Sequence, residues 1–489
     1  MAYPLPTLTR IRTRWSSAST DDQFVVQNPA TGQTVTVVQG AGAEEVDQAV
    51  RAAHSAHLRW KRRAASERGR YLREVAEVIR ANADEIAQLE SLEMGKPFTQ
   101  ARNVDVEAAI NIFEHFAGAV EALPGLARDD AGEQGPVFDV TTLEPYGVVA
   151  CLVPFTWPPI HTAAKIAPAL AVGNAVVLKP PEQTPSVVLR MVELMQSVLP
   201  DRVVHAVPGR GEVSSVLAGH RLVGKVSFTG SPRTGAAVLR TAAPNLTPTL
   251  LELGGKNPLL VFDDADQHEA LLAAVDGGFF SHGEIRAASS RILVQHNIVE
   301  EFADKLCAAV RRLRVGDGAD PETDVGPLVT RPQQKQVLDY LSIGVSEGAR
   351  IAAQAPLPDD PRLADGFFVS PTVLTDVTPR MRVAREEILG PVVALIPFAD
   401  EDEAVRIANG TRFGLAAAVF TEDSDRALRV SRRMRAGTVF VNRGVGVCGF
   451  VCNNTQQTLA EYGYTKTIRL ADNRERGPLW TAAARVLEG

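Results

Sequence analysis

Leu250-Leu251-Glu252-Leu253-Gly254-Gly255-Lys256-Asn257-Pro258, followed further on by His282-Gly283-Glu284-Ile285-Arg286-Ala287-Ala288-Ser289-Ser290-Arg291, decides how this chain is read. An apolar run that carries one carboxylate and breaks at paired glycines reads as a strand ending where a cleft begins. Two residues without side chains let the backbone turn where a Cβ would clash. Glu252 then belongs on the cleft floor. Taken alone, such a Glu is more often an ordinary satisfied buried acid, so the surrounding sequence has to decide between the two.

Upstream stand Leu178-Lys179-Pro180-Pro181-Glu182-Gln183-Thr184-Pro185 and Phe228-Thr229-Gly230-Ser231-Pro232-Arg233-Thr234-Gly235, and downstream Glu386-Glu387-Ile388-Leu389-Gly390-Pro391. From Gly147 short apolar strands alternate with helical patterns, among them Val148 to Val153, Ile160 to Val172, Ala175 to Leu178 and Ser186 to Val198. Alternation of that kind implies parallel sheets covered on both faces. It resumes from Leu259 and runs to Asn442. Before it, helical spacing covers Glu44 to Lys61, Ser66 to Met94 and Val104 to Leu123. The polar, alternating stretch Val137 to Leu143 reads as an exposed strand.

The four motifs, in this order, resemble the aldehyde dehydrogenase superfamily over roughly Asn28 to Asn442, most of the chain. The resemblance implies an α/β, aldehyde dehydrogenase-like fold: two open α/β domains with a β-arm for oligomerisation. The dinucleotide-binding domain would comprise residues 1–124 and 147–254, and the catalytic-type α/β domain residues 255–442. Residues 125–146 and 460–489 would form the oligomerisation arm and C-terminal extension, giving a homodimer or homotetramer. It also implies a small-molecule substrate and NAD or NADP as cofactor. Lys179 and Glu182 would meet the adenosine ribose, Gly230, Ser231 and Gly235 would form the strand-to-helix turn at the pyrophosphate, and Glu387 would grip the nicotinamide ribose. A carboxylate at 182 hydrogen-bonds a 2′-hydroxyl and repels a 2′-phosphate, which favours NAD.

Composition narrows the remaining classes. A net charge of −7 with no clustered basic run argues against nucleic-acid partners, since phosphate contact needs concentrated positive charge. No apolar run is long enough for a membrane span, and the first residues lack the pattern of a secretory signal. Four cysteines, at 151, 307, 448 and 452, are too few and too scattered for a disulfide scaffold, so a reducing cytoplasm is expected.

Four departures from the family pattern bear on the chemistry that the resemblance implies. The family's cysteine nucleophile follows a Gly-Gln pair; here Gly283-Glu284-Ile285 leads to Arg286. The family's oxyanion-binding Asn lies in Pro-Trp-Asn-Phe-Pro; here Pro154-Phe155-Thr156-Trp157-Pro158 offers the Thr156 hydroxyl. Past Asn442 the glycine-rich closing motif is replaced by Arg443 to Asn454, and Leu389 stands where Phe is usual. An aldehyde gives up hydride only after a nucleophile has added to its carbonyl. A guanidinium stays protonated and cannot be that nucleophile. Losing one oxyanion donor costs about 10²–10³ in rate, so oxidation through a thioester is not expected.

Glu252, Arg286 and Thr156 are therefore the candidate catalytic residues, with no metal site expected. Arg286 either holds an anionic substrate group bidentately or pairs with Glu252 or another nearby carboxylate. Cys448 and Cys452 border the expected pocket and are the only thiols placed to replace the missing one. His282 reads as a cleft-lining bystander. Three functions remain: NAD(P)-dependent hydride transfer without a thioester, a catalytically silent binding or scaffold protein, and non-redox chemistry using Glu252 and Arg286.

Overall fold

The structure is a computed structural model that describes residues 23–122, 126–132, 135–444, 455–471 and 486. A five-stranded sheet runs in the order Val204–Ala206, Ala175–Lys179, Val148–Leu152, Val223–Thr229, Thr249–Glu252, with every pair parallel. Two of its three inner strands, Ala175–Lys179 and Val148–Leu152, are buried at every position, as expected where helices cover both faces. Alternate residues face opposite ways. Val149, Cys151, Val176 and Leu178 pack with the helices Ala65–Ala81, Glu107–Ala119 and Pro158–Val172. Val148, Ala150, Ala175 and Val177 pack with the helix Ala43–Trp60 on the other side.

A seven-stranded sheet follows, ordered Arg350–Gln354, Thr372–Thr375, Val392–Phe398, Arg291–Gln295, Pro258–Val261, Ala416–Phe420, Thr438–Val441. Only the edge pair of Arg350–Gln354 with Thr372–Thr375 is antiparallel. Period-two burial again divides two cores: Leu260, Leu293, Ala394 and Ile396 face one, and Leu259, Val261, Ile292, Val294 and Leu395 face the other. A third sheet is antiparallel, with Gly135–Pro145 lying between Leu126–Gly132 and Gly463–Ala471.

Two helices differ from the spacing read in the sequence. The Ser66 to Met94 pattern is two helices, Ala65–Ala81 and Ala83–Met94, separated at Asn82 (φ −118°, ψ 22°). The Asn82 side chain donates to the Val78 carbonyl at 2.7 Å and so competes with the backbone ladder. The pattern beginning at Val104 starts earlier, with a π-helical segment Ala101–Val106 ahead of Glu107–Ala119. That wider turn delivers buried Asp105 to the buried Lys96 ammonium, which also lies 3.4 Å from Glu90. The charges outweigh the regular helix that apolar spacing alone predicts.

Candidate active site

The strand Thr249–Glu252 ends the five-stranded sheet, and Gly254-Gly255 carry the chain to the first strand of the seven-stranded one. Both glycines are required by close approaches. A Cβ on Gly254 would stand 2.3 Å from a carboxylate oxygen of Glu387, and one on Gly255 would stand 2.4 Å from the Arg286 carbonyl. The Gly255 N–H instead donates to Glu387 Oε1 at 3.2 Å, while Asn257 Nδ2 donates to the Arg286 carbonyl at 2.8 Å. The glycine pair thus fixes both Arg286 and Glu387 beside the end of the Glu252 strand.

Glu252 is open to the cleft, its side chain 46% exposed, yet protein groups hold one face of it. Thr229 Oγ1 donates to its Oε2 at 2.5 Å, and Lys165 Nζ lies 3.4 Å from the same oxygen. Burial acts to raise the Glu252 pKa, but the Lys165 ammonium, His161 and the Thr229 hydroxyl outweigh it and hold the carboxyl at about 2. Lys165 is itself buried and donates also to Ser227 Oγ at 3.0 Å, which aims its charge at Glu252.

His161 was not expected from the sequence. It lies four residues before Lys165 on the helix Pro158–Val172, so both project from one face toward Glu252. Its ring centroid is 6.5 Å from that of Trp157. Burial, with the positive charges of Lys165 and Arg286, drives its pKa from 6.5 to about 3 against the opposing pull of Glu252. His161 is therefore neutral at pH 7, and Lys165 is the cation that holds Glu252 ionised.

The sign of the His161 shift gives a stability prediction. As pH falls below about 6.5 the unfolded chain takes up a proton at this residue, whereas the folded chain resists until about 3. Stability therefore declines with acidification across that window. His161→Gln should lose less stability than the parent protein between pH 7 and pH 4.5 in urea unfolding; an identical loss would show that the ring charges without penalty.

Arg286 is nearly enclosed, with its side chain 11% exposed, and its nearest carboxylate is Glu387, at 3.6 Å. Its Nε and Nη1 have no hydrogen-bond partner among the described residues. The contact with Glu387 is thus a loose ion pair. Burial lowers the arginine pKa and raises that of Glu387, so on both sides desolvation outweighs the attraction. The sequence offered Glu252 or another, unnamed carboxylate as its partner; the one within ion-pair distance is Glu387. Thr156, just before the helix that carries His161, is buried and its hydroxyl has no hydrogen-bond partner among the described residues, nor has the Trp157 indole N–H.

His282 is not in the cleft. It is fully buried, with Nε2 3.2 Å from Glu284 Oε2, and Glu284 accepts from the Val329 N–H at 3.0 Å. Cys448 and Cys452 lie outside the described residues; Cys151 and Cys307 are buried. No group of three His, Cys, Asp or Glu side chains among the described residues is arranged to hold a metal.

Lys179 ends its strand and lies 3.3 Å from Glu182. Ser231 caps the helix Pro232–Ala242 by accepting from the Thr234 N–H at 3.2 Å. At Gly235 a Cβ would stand 2.8 Å from Leu253, so glycine lets that helix settle against the Glu252 strand. Gly230 donates its N–H to the Glu252 carbonyl at 3.0 Å, joining the two turns. Ser231 and Glu387 border one cleft of about 1090 Å³, whereas Glu182 borders another of about 390 Å³ together with Gln183 and Arg210.

Sheet order, the turn at Ser231 and the Glu252 cleft together define an α/β protein with an aldehyde dehydrogenase architecture, and residues 15–449 match the model of the aldehyde dehydrogenase family. The chain belongs to that family. It is 42% identical to aldehyde dehydrogenase citD of Monascus ruber over 97% of this chain and 96% of that one. It is 40% identical to betaine aldehyde dehydrogenase of Mesorhizobium japonicum, covering 90% and 92%. A crystal structure of betaine aldehyde dehydrogenase from Staphylococcus aureus in complex with NAD+ superposes with a TM-score of 0.89 at 33% identity, covering 98% of this chain and 97% of that one.

Proposed function

We propose that this chain binds a nicotinamide dinucleotide, NAD in preference to NADP, and supports hydride transfer on a small anionic substrate without a cysteine thioester. The observation that carries this reading is position 286. A charged guanidinium with unpartnered Nε and Nη1 lies beside Glu387 and within the electrostatic reach of Glu252 and His161. A buried cation with unused donors is costly unless an anion completes it. A carboxylate or phosphate on the substrate matches its planar fork.

The residues available fit the cofactor. The Lys179–Glu182 pair suits a ribose with a free 2′-hydroxyl, and the Ser231 turn, which includes Gly230 and Gly235, presents a helix N-terminus suited to phosphate. Glu387 would take the second ribose once it yields part of its contact with Arg286. The nicotinamide ring, when bound, accepts or donates the hydride.

Glu252 and His161 are the proton-handling pair. Held at about 2 and about 3, both are weak bases before substrate enters. An anion on Arg286 adds negative charge beside them and raises both pKa values toward neutrality. The Thr156 hydroxyl is the remaining donor for an oxyanion. The curated relatives' names favour the ordinary aldehyde oxidation of the family as the second reading, which requires a thiol that the described part of the cleft does not supply.

We assign residues 1–124 and 147–254 to the cofactor-binding domain and residues 255–442 to the catalytic domain. The three-stranded sheet would be the assembly arm of a homo-oligomer, and the location cytoplasmic. None of the helices among the described residues is long and apolar enough to cross a membrane. Titration with NADH and NADPH, followed by nicotinamide fluorescence, tests the cofactor assignment. Saturable binding with NADH the tighter ligand is expected; no binding at millimolar cofactor would remove the redox reading and favour a silent or non-redox protein.

A further inference from the structure

Lys165 holds Glu252 ionised only while its ammonium is aimed at the carboxylate, and a head on a flexible four-carbon stem does not aim itself. The ammonium has two hydrogen-bond partners among the described residues: Glu252 Oε2 at 3.4 Å and, closer, Ser227 Oγ at 3.0 Å. Ser227 and Thr229 lie two residues apart on the strand Val223–Thr229, so their side chains share one face. The first hydroxyl meets the ammonium and the second donates to the carboxylate. One strand thus presents the partners of both charges.

Ser227 must itself be held. An ammonium has no acceptor, so Ser227 Oγ accepts from Lys165, and its other contact decides which way the hydroxyl turns. That contact is Tyr462 Oη, 3.0 Å away. Tyr462 is buried between the helix Thr455–Glu461 and the strand Gly463–Ala471. Its carbonyl accepts from Asn174 Nδ2 at 2.8 Å, and Asn174 Oδ1 accepts from the Gly147 N–H at 3.0 Å. Asn174 lies just past the end of the helix that carries Lys165. The tyrosine is therefore anchored by its backbone at one end and reaches Ser227 with the other. Tyr462, Ser227, Lys165, Glu252 and Thr229 form one unbroken chain of hydrogen bonds. Its first three members are almost wholly out of water, where such bonds strengthen one another.

We propose that Tyr462 is a positioning residue for Glu252: through Ser227 it aims the Lys165 ammonium at the carboxylate. Phenylalanine at 462 keeps the ring and removes only the hydroxyl, which frees Ser227 to rotate. The ammonium then follows Ser227 away from Glu252, and the carboxylate takes up a proton more readily. The inference rests on the reading of Glu252 as a proton-handling group; the contacts that carry it are independent of which reaction the cleft performs.

Carbodiimide coupling of glycine ethyl ester to the full chain at mildly acidic pH, read peptide by peptide by mass spectrometry, tests the inference without cofactor or turnover. A carbodiimide adds to the protonated carboxyl, and Glu252 is open enough to be reached, so its labelling rate follows its neutral fraction. In Tyr462→Phe that rate should rise about three- to tenfold, which is a pKa increase of up to about one unit. Ser227→Ala should raise it at least as much, and adding Tyr462→Phe to Ser227→Ala should do nothing further, because the tyrosine acts through the serine. Glu461→Gln loses the adjacent pair with Lys225 at 3.2 Å but keeps the Tyr462 hydroxyl, and should leave the rate unaltered. An unchanged rate in Tyr462→Phe, an equal rise in Glu461→Gln, or the same rise with and without Ser227 would overturn the proposal and make Tyr462 a packing residue. The expected shifts in a protein that binds no NADH would uphold the chain of contacts while removing the redox function.

Discussion

Glu252→Gln is expected to reduce turnover by about 10²–10⁴-fold, the range for loss of a positioned acid or base, while leaving cofactor affinity close to its starting value. Glutamine retains an oxygen for the Thr229 hydroxyl, so the strand end should keep its place. The negative charge facing Lys165 is lost, leaving that ammonium with the Ser227 hydroxyl as its remaining partner. The split between lost turnover and retained binding identifies Glu252 as a chemical group. Unchanged turnover would make it a counter-ion for Lys165 and nothing more.

The second large effect is expected at Arg286. Arg286→Ala should raise KM for an anionic substrate by roughly 10²-fold, since charge-assisted hydrogen bonds contribute about 1.5–3 kcal/mol each. A neutral analogue should lose far less. Arg286→Lys keeps the charge without the fork and should fall between the two. Removing the cation also leaves Glu387 with the Gly255 N–H as its only hydrogen-bond donor among the described residues. The stability cost should nevertheless stay below the ~3–5 kcal/mol of a fully buried broken pair, because the ion pair is long and each side chain is partly open. Steady-state kinetics on a matched pair of carboxylated and neutral substrates, with thermal unfolding alongside, separates the two contributions. Equal losses for both substrates would mean that Arg286 shapes the pocket without recognising charge.

Much of the architecture was legible because it rests on local rules. Apolar strands bounded by glycine, proline and helical spacing give the parallel sheets, and the Gly254-Gly255 break marks where Glu252 meets the cleft. What escaped the sequence depends on contacts between distant segments. A histidine within the apolar helix Pro158–Val172 reads as core, and only its four-residue spacing from Lys165 hinted at a shared face. The partner of Arg286 was not fixed by order along the chain, since Glu387 arrives on a separate loop. The break at Asn82 and the π-helical turn at Asp105 follow from side-chain hydrogen bonds and buried charge, which apolar periodicity does not register. The cleft bordered by Ser231 and Glu387 is the clearest case: an acidic chain with no basic run still gathers positive charge there when segments distant in the sequence converge.

Position 286 also separates the fold from its expected chemistry. The backbone at this position is held by Asn257 and made possible by Gly255, and it carries a guanidinium, which stays protonated and cannot attack a carbonyl. Retention of the scaffold accounts for the strong likeness to aldehyde dehydrogenases.

The most direct measurement compares hydride transfer, read as nicotinamide absorbance, in the parent protein and in Cys448→Ala/Cys452→Ala across a panel of carboxylated and phosphorylated carbonyl substrates, with intact-mass analysis of the quenched enzyme. Equal turnover in the two proteins and no acyl adduct on any cysteine is the predicted result. Loss of turnover in the double variant, together with an acylated cysteine in the parent, would contradict chemistry without a thioester.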